Sequence, residues 1–220
     1  MISLELVFSA VGLPSELIHR WIELNKPVLS LVGAAVVSDT LDELESLRVV
    51  RVPPQERFDL GRLNNAGLRS SEARVVVKTD IDIAFSHQLI NYLWKTVLPG
   101  TAVIAKCANI DADEDAEWGT KPIRVAGRGA CFAMCQSDWH RLRGYNEHFE
   151  GWSADDDDLF KRASEALEVI QTAEYPLWHI NHPKRIDARF PNRRDHNLAI
   201  MRSETWQETE DSKNWGLEKL

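Results

Sequence analysis

The feature that most constrains this chain is a repeated change of hydrophobic period within its first 83 residues. Leu4 to Phe8 alternates as a strand. Gly12 and Pro14 then turn the chain, Ser15 is placed to cap a helix, and Leu17, Ile18, Trp21, Ile22 and Leu24 follow at helical spacing. Val28 to Val37, between Pro27 and Ser38-Asp39-Thr40, reads as a buried parallel strand because it is long, apolar and β-branched. Leu47 to Val52 is a third strand, stopped by Pro53-Pro54. Gly61 to Ser70 is predicted helical, and Val75 to Ile83 is a fourth strand running into acids. Strands alternating with helices indicate an α/β, Rossmann-like fold, with a mostly parallel central sheet flanked by helices. At 220 residues, one domain is the simplest division.

The second half continues the pattern. His87 to Ile104 is read as a helix, a Pro99-Gly100 turn and a strand. Asn109 to Gly119 is acidic and aperiodic, as in a long surface loop. Gly127-Arg-Gly-Ala predicts a close backbone approach ahead of a strand ending at Cys135, and Gln136 to Leu142 a short helix. Tyr175 to Pro183 is an apolar strand carrying His179 and His182, and the tail from Arg185 is first basic, then polar.

Ligands of parallel sheets bind beyond the carboxyl ends of the strands. Asp39 lies there, although Ser-Asp-Thr is also ordinary turn chemistry. Asp80-Ile-Asp82 lies there too; in a strand, i and i+2 share a face, so the two carboxylates would project together. Such a pair needs a cation or donors, and carboxylate suits Mg²⁺ or Mn²⁺, with a histidine at 179 or 182 as a further ligand. The other acidic feature is Asp155 to Asp158, four consecutive carboxylates followed by Leu159, Phe160, Ala163, Ala166, Leu167 and Ile170 at helical spacing. One or two acids complement a helix N-terminus; four repel one another unless something offsets them.

The formal charge of −8 argues against a general nucleic-acid binder. The N-terminus lacks a basic leader region, and no apolar run approaches a membrane span. Three cysteines, Cys107, Cys131 and Cys135, cannot all pair within one chain; a cytoplasmic location fits best, with peripheral membrane association left open. Cys131 and Cys135 read as small core residues rather than zinc ligands.

Together, Phe58 to Leu68 with Asn65-Ala-Gly67, Asp80-Ile-Asp82, and Gly144-Tyr-Asn-Glu-His-Phe-Glu-Gly-Trp-Ser-Ala-Asp-Asp-Asp-Asp158 resemble a GT-A fold glycosyltransferase. The likeness is to the family-2-like group, of the β-1,4-galactosyltransferase and bacterial chondroitin-polymerase type. The last segment matches without a gap, with Ser153-Ala154 in place of Gly-Gly and Asp155 in place of Glu. The resemblance implies an inverting, metal-dependent hexosyltransferase that uses a UDP-like nucleotide sugar and a glycan hydroxyl acceptor, as in polysaccharide biosynthesis. It implies a nucleotide-sugar half over residues 1–83, an acceptor and catalytic half over 84–183, and a tail over 184–220. It assigns Mn²⁺ (or Mg²⁺) to Asp82, Asp80 and His179, and the donor to Asp39, Asp80 and Arg62. The acceptor falls to Trp152, Gly151 and Asp155, and the general base to Asp156 beside Asp155. Two other classes stay open: a glycoside hydrolase, which needs two carboxylates and no metal, and a carbohydrate- or nucleotide-sugar-binding protein without activity.

Overall fold

The computed structural model describes residues 4–44, 46–53, 58–110, 125–126, 129–180 and 191–203. In chain order these form β1 (Leu4–Ser9), α1 (Ser15–Leu29), β2 (Gly33–Ser38), β3 (Arg48–Arg51), α2 (Leu60–Arg69), β4 (Val75–Thr79), β5 (Ile83–Phe85), α3 (His87–Thr96), β6 (Thr101–Ala105), β7 (Cys107–Ile110), β8 (Val125–Ala126), β9 (Cys131–Cys135), α4 (Gln136–Leu142), α5 (Asp155–Ala166), β10 (Glu168–Thr172), β11 (Leu177–Ile180) and α6 (Arg194–Ser203). Among the described residues, the main sheet has the order β10-β6-β9-β4-β1-β2-β3. It is parallel except for β9, which runs antiparallel to both neighbours. A smaller sheet, β5-β11-β7-β8, stands beside it. The main sheet is thus the expected one, and the smaller sheet is an addition.

The strands that carry it are buried almost throughout: Leu6, Phe8, Val36, Val75 and Val77 point into one core, and Val7, Ala35, Val76, Phe132 and Met134 into another on the opposite face. That two-faced burial explains the continuous apolar runs in the sequence. Helix α2 lies flush on β1 and β2 because Gly67 has no side chain; a Cβ there would overlap Val7 and Val37. The three cysteines are free and buried in the core, and burial pushes the Cys131 thiol up to about 12.

Five expectations are corrected. The run Val28 to Val37 is not one strand: α1 continues through Pro27 to Leu29, and only Gly33–Ser38 is extended. Val28 is the last buried position on the α1 stripe Ile18-Trp21-Asn25-Val28, so its apolarity belongs to a helix. Pro27 removes the N–H that would bond the Glu23 carbonyl, and Glu23 is exposed, so water can reach that carbonyl instead. Ser15 is the first helical residue, and the cap position is Pro14, with no side-chain cap bond. Ile170, counted with the acidic helix, lies in β10, because α5 ends at Ala166. Strand β4 stops at Thr79, so Asp80 to Asp82 form a turn closed by the Ile83 amide donating to the Asp80 carbonyl (3.2 Å). Finally, of the loop expected over Asn109 to Gly119, Asn109 and Ile110 belong to β7 instead, and residues 111–119, like His182 and Gly127, lie outside the described residues.

Candidate active site

The parallel strands β1, β2 and β4 end at one edge of the sheet, and two acidic segments meet there. The first is the turn after β4. Asp80 and Asp82 sit in a turn rather than a strand, so strand alternation does not place them, although their charges remain close enough to interact. Asp80 Oδ1 accepts from Lys78 Nζ at 2.8 Å, while Asp82 Oδ2 lies 3.3 Å from His179 Nε2 on β11. The pairing of β11 with β5 brings His179 opposite Ile83, directly after the turn. Its bond to Asp82 outweighs partial burial and raises the His179 imidazole above its usual range. Both groups keep some exposure.

A buried asparagine fixes this turn from behind. Asn25 Nδ2 donates to the carbonyls of Trp21 and Ile83, both at 3.0 Å, and its Oδ1 accepts from the Phe85 amide at 2.9 Å. All three bonds are needed, since a buried amide left unbonded is costly.

The second segment is the mouth of α5, where the four carboxylates have four different fates. Asp158 is buried in an ion pair with Arg162 (2.7 and 2.8 Å), whose remaining donors reach the Leu142 and Gly144 carbonyls, both at 2.8 Å. It is therefore a structural strut holding α5 to the end of α4, more than the dipole complement its position at the helix N-terminus suggested. Asp157 is partly exposed, 3.8 Å from Arg194 on α6. Asp155 is only 4% exposed, and its Oδ1 has no hydrogen-bond partner among the described residues. Burial, then the neighbouring Asp156 charge, raises Asp155 to about 7. Asp156 lies on the side of the turn, within 3.9 Å of Lys78, its side chain 37% exposed.

Asp156 also connects the two segments. Its Oδ1 accepts from the Tyr145 hydroxyl at 3.1 Å and lies 3.9 Å from Lys78 Nζ, the same ammonium that holds Asp80. Lys78 donates further to the Gly129 carbonyl at 3.0 Å. Burial would lower the ammonium, but Asp80, with Tyr145 and Asp156, outweighs it and holds Lys78 well above the ordinary lysine range. Gly129 supplies the expected close backbone approach: a Cβ there would overlap Asp156 Oδ2.

The loop before α5 is strained and tightly held. Ser153 (φ 99°) and Ala154 (φ 67°) both take positive φ where glycine would be at ease. Asn197 of α6, fully buried, accepts from the Glu150 amide (3.0 Å) and donates to the Glu150 and Ser153 carbonyls (3.1 and 2.8 Å). Residues 191–193 pair with Trp152 through its amide and carbonyl, both at 3.2 Å, so the tail packs on the domain here. Trp152 nevertheless leaves 44% of its surface open. Gly151 is buried, its amide donating to Asp59 (2.8 Å) and its carbonyl accepting from Leu60.

The other sequence candidates lie nearby in the fold with their own contacts. Asp39 is buried after β2, and its Oδ1 accepts from the Gly12 amide at 3.1 Å, which ties β2 to the turn after β1. Arg62 on α2 donates to the Glu147 carbonyl at 3.2 Å, beside Asn65, which holds Tyr145 through both its amide and carbonyl (2.7 and 2.9 Å). Sequence reasoning missed Lys78, Tyr145, Arg162 and the three asparagines. The available signal was a polar residue on an apolar stripe, as with Asn25 between Trp21 and Val28, or a lysine inside Val-Val-Val-Lys-Thr.

A divalent cation fits the donor chemistry of Asp82 and His179, one carboxylate and one imidazole already adjacent. Among the described residues no set of three or more such side chains is assembled, and Asp80 is engaged by Lys78.

The profile described as the N-terminal domain of galactosyltransferase matches residues 122–185, the stretch carrying Gly129, Tyr145, the α5 acids and His179. The catalytic domain of Drosophila β1,4-galactosyltransferase 7, in complex with xylobiose, superposes with a TM-score of 0.60 at 13% identity, covering 94% of this chain and 82% of that one. A mutant of the same enzyme, in complex with manganese, UDP-Gal and xylobiose, gives 0.56 at 13% identity, covering 89% and 82%. No curated protein matches the sequence. The fold is therefore GT-A, that of glycosyltransferases. Within the chain, the segment 122–185 is similar to the N-terminal domain of galactosyltransferase.

Proposed function

We propose that the chain transfers a hexose or N-acetylhexosamine from a UDP-like donor to a glycan hydroxyl with inversion, using Asp156 as general base. The observation that carries this reading is the convergence on one sheet edge of an open carboxylate, Asp156, with the Asp80–Asp82 turn and His179. In the reaction the acceptor oxygen bonds to the anomeric carbon as the bond from that carbon to the phosphate oxygen breaks. The hydroxyl proton passes to the Asp156 carboxylate, and the nucleoside diphosphate leaves with the electron pair. Asp82 and His179 would hold Mn²⁺, with Asp80 beside them; when bound it neutralises diphosphate charge. Trp152 offers an exposed ring for a sugar face. Asp39 and Arg62 are proposed on the donor side.

Asp155 departs from the role the resemblance implies. Buried against Gly61, it supports the acceptor pocket from beneath rather than presenting both oxygens to hydroxyls. The same burial disfavours a glycoside hydrolase, whose protonated acid must reach a glycosidic oxygen. Incubation with a panel of UDP-sugars and Mn²⁺ tests the proposal. Slow hydrolysis of one donor without acceptor, abolished by chelator, is expected. No donor turnover with any sugar, alongside intact UDP binding, would favour a non-catalytic binding protein.

A further inference from the structure

We propose that Tyr145, Lys78 and Gly129 form a clamp that holds the Asp156 carboxylate in one orientation, making them positioning residues for the transfer. This rests on the reading of Asp156 as the base, and it concerns side chains that reading did not need. The clamp touches both oxygens. Oδ1 takes the Tyr145 hydroxyl at 3.1 Å and faces Lys78 at 3.9 Å; Oδ2 occupies the space that a side chain at 129 would fill. Each contact comes from a different part of the fold: Lys78 from β4, Gly129 from the approach to β9, Tyr145 from the loop after α4.

The clamping groups are themselves immobilised. Lys78 is buried and spends its other donors on Asp80 and the Gly129 carbonyl. Tyr145 is buried, its backbone amide and carbonyl bound by Asn65 and its ring stacked 6.3 Å from Trp139. Burial raises the Tyr145 phenol well above its usual range, with Asp156 adding to the rise, so the hydroxyl keeps its proton and donates. A carboxylate on the first turn of a helix would otherwise sample several rotamers. Fixing it leaves less to organise when the acceptor arrives. Lys78 also joins the base to the Asp80 turn, so the donor and acceptor sides share one cation.

The decisive variant is Tyr145→Phe, which deletes one oxygen and keeps the packed ring. It should lower kcat about tenfold to a hundredfold, the loss of one hydrogen bond to a charged group, and leave both KM values within about twofold. Lys78→Met should lower kcat further, and Lys78→Arg should recover part of the loss. Crystal structures should show Asp156 in one rotamer in the wild type and displaced from Gly129 in Tyr145→Phe. Wild-type kcat and an unmoved Asp156 in Tyr145→Phe would overturn the clamp. If that occurs while Asp156→Asn is inactive, the base survives and the clamp alone fails; if Asp156→Asn is active, both fail.

Discussion

The turn at Asp80–Asp82 and the mouth of α5 are both acidic, yet they manage charge differently. In the turn each carboxylate faces a cationic or titratable partner, Lys78 for Asp80 and His179 for Asp82. At the mouth the four acids are sorted by depth: Asp158 paired in the interior, Asp155 buried without a cation of its own, Asp156 and Asp157 at the surface. In the turn, both acids thus rely on partners from neighbouring strands. The helix mouth buries Asp155 and Asp158 and leaves Asp156 and Asp157 accessible.

The contrast should break first at Asp158. Its Asn variant leaves Arg162 charged and buried, and breaking such a pair costs about 3–5 kcal/mol. Urea unfolding should show that loss for Asp158→Asn and a much smaller one for the surface variant Asp157→Asn; equal effects would remove the distinction by depth. Next comes Asn197→Ala, which strips three bonds from the loop before α5 and leaves buried backbone groups unpaired, at about 1–3 kcal/mol. Acceptor KM should rise with it, because Trp152 stands on that loop.

Asp155 sharpens the comparison through pH. Its folded-state pKa, about 7, lies above the ordinary aspartate value of about 4. Between those values the folded state holds a proton that the unfolded state has lost, so stability falls as pH rises through the window and stays low above it. Thermal melts of wild type and Asp155→Asn should therefore diverge between about pH 4 and about pH 7, the variant being the more stable at the upper end. Parallel curves would mean that Asp155 is not held in its buried setting. The smallest effect is at Ala154. Glycine relieves its positive φ but loosens the unfolded chain, leaving a net gain of about 0.5–1 kcal/mol for Ala154→Gly.

Much of this arrangement was legible in the sequence, and the rest was hidden for physical reasons. Strand cores such as Val75-Val-Val announce themselves because burial on both faces demands apolar residues. The Asp156 position could be read because a contiguous motif carries it. The boundary of α1 could not, since Val28 is apolar for the sake of a helix stripe and Val36 for a strand, and composition is the same for both. The strand alternation read for Asp80 and Asp82 does not apply because β4 ends at Thr79, which a local pattern does not reveal. Lys78, Tyr145, Asn25, Asn65 and Asn197 act through partners up to 82 residues away, and such pairings exist only once the chain has folded.

The central claim is that Asp156 removes the acceptor proton while the turn after β4 handles the donor. The most direct test measures two quantities on Asp156→Asn: sugar transfer from the accepted UDP-sugar with Mn²⁺, and UDP binding with Mn²⁺ by calorimetry. The account predicts a kcat at least about 10²- to 10⁴-fold below wild type, with nucleotide affinity unchanged. Transfer at the wild-type rate would contradict it.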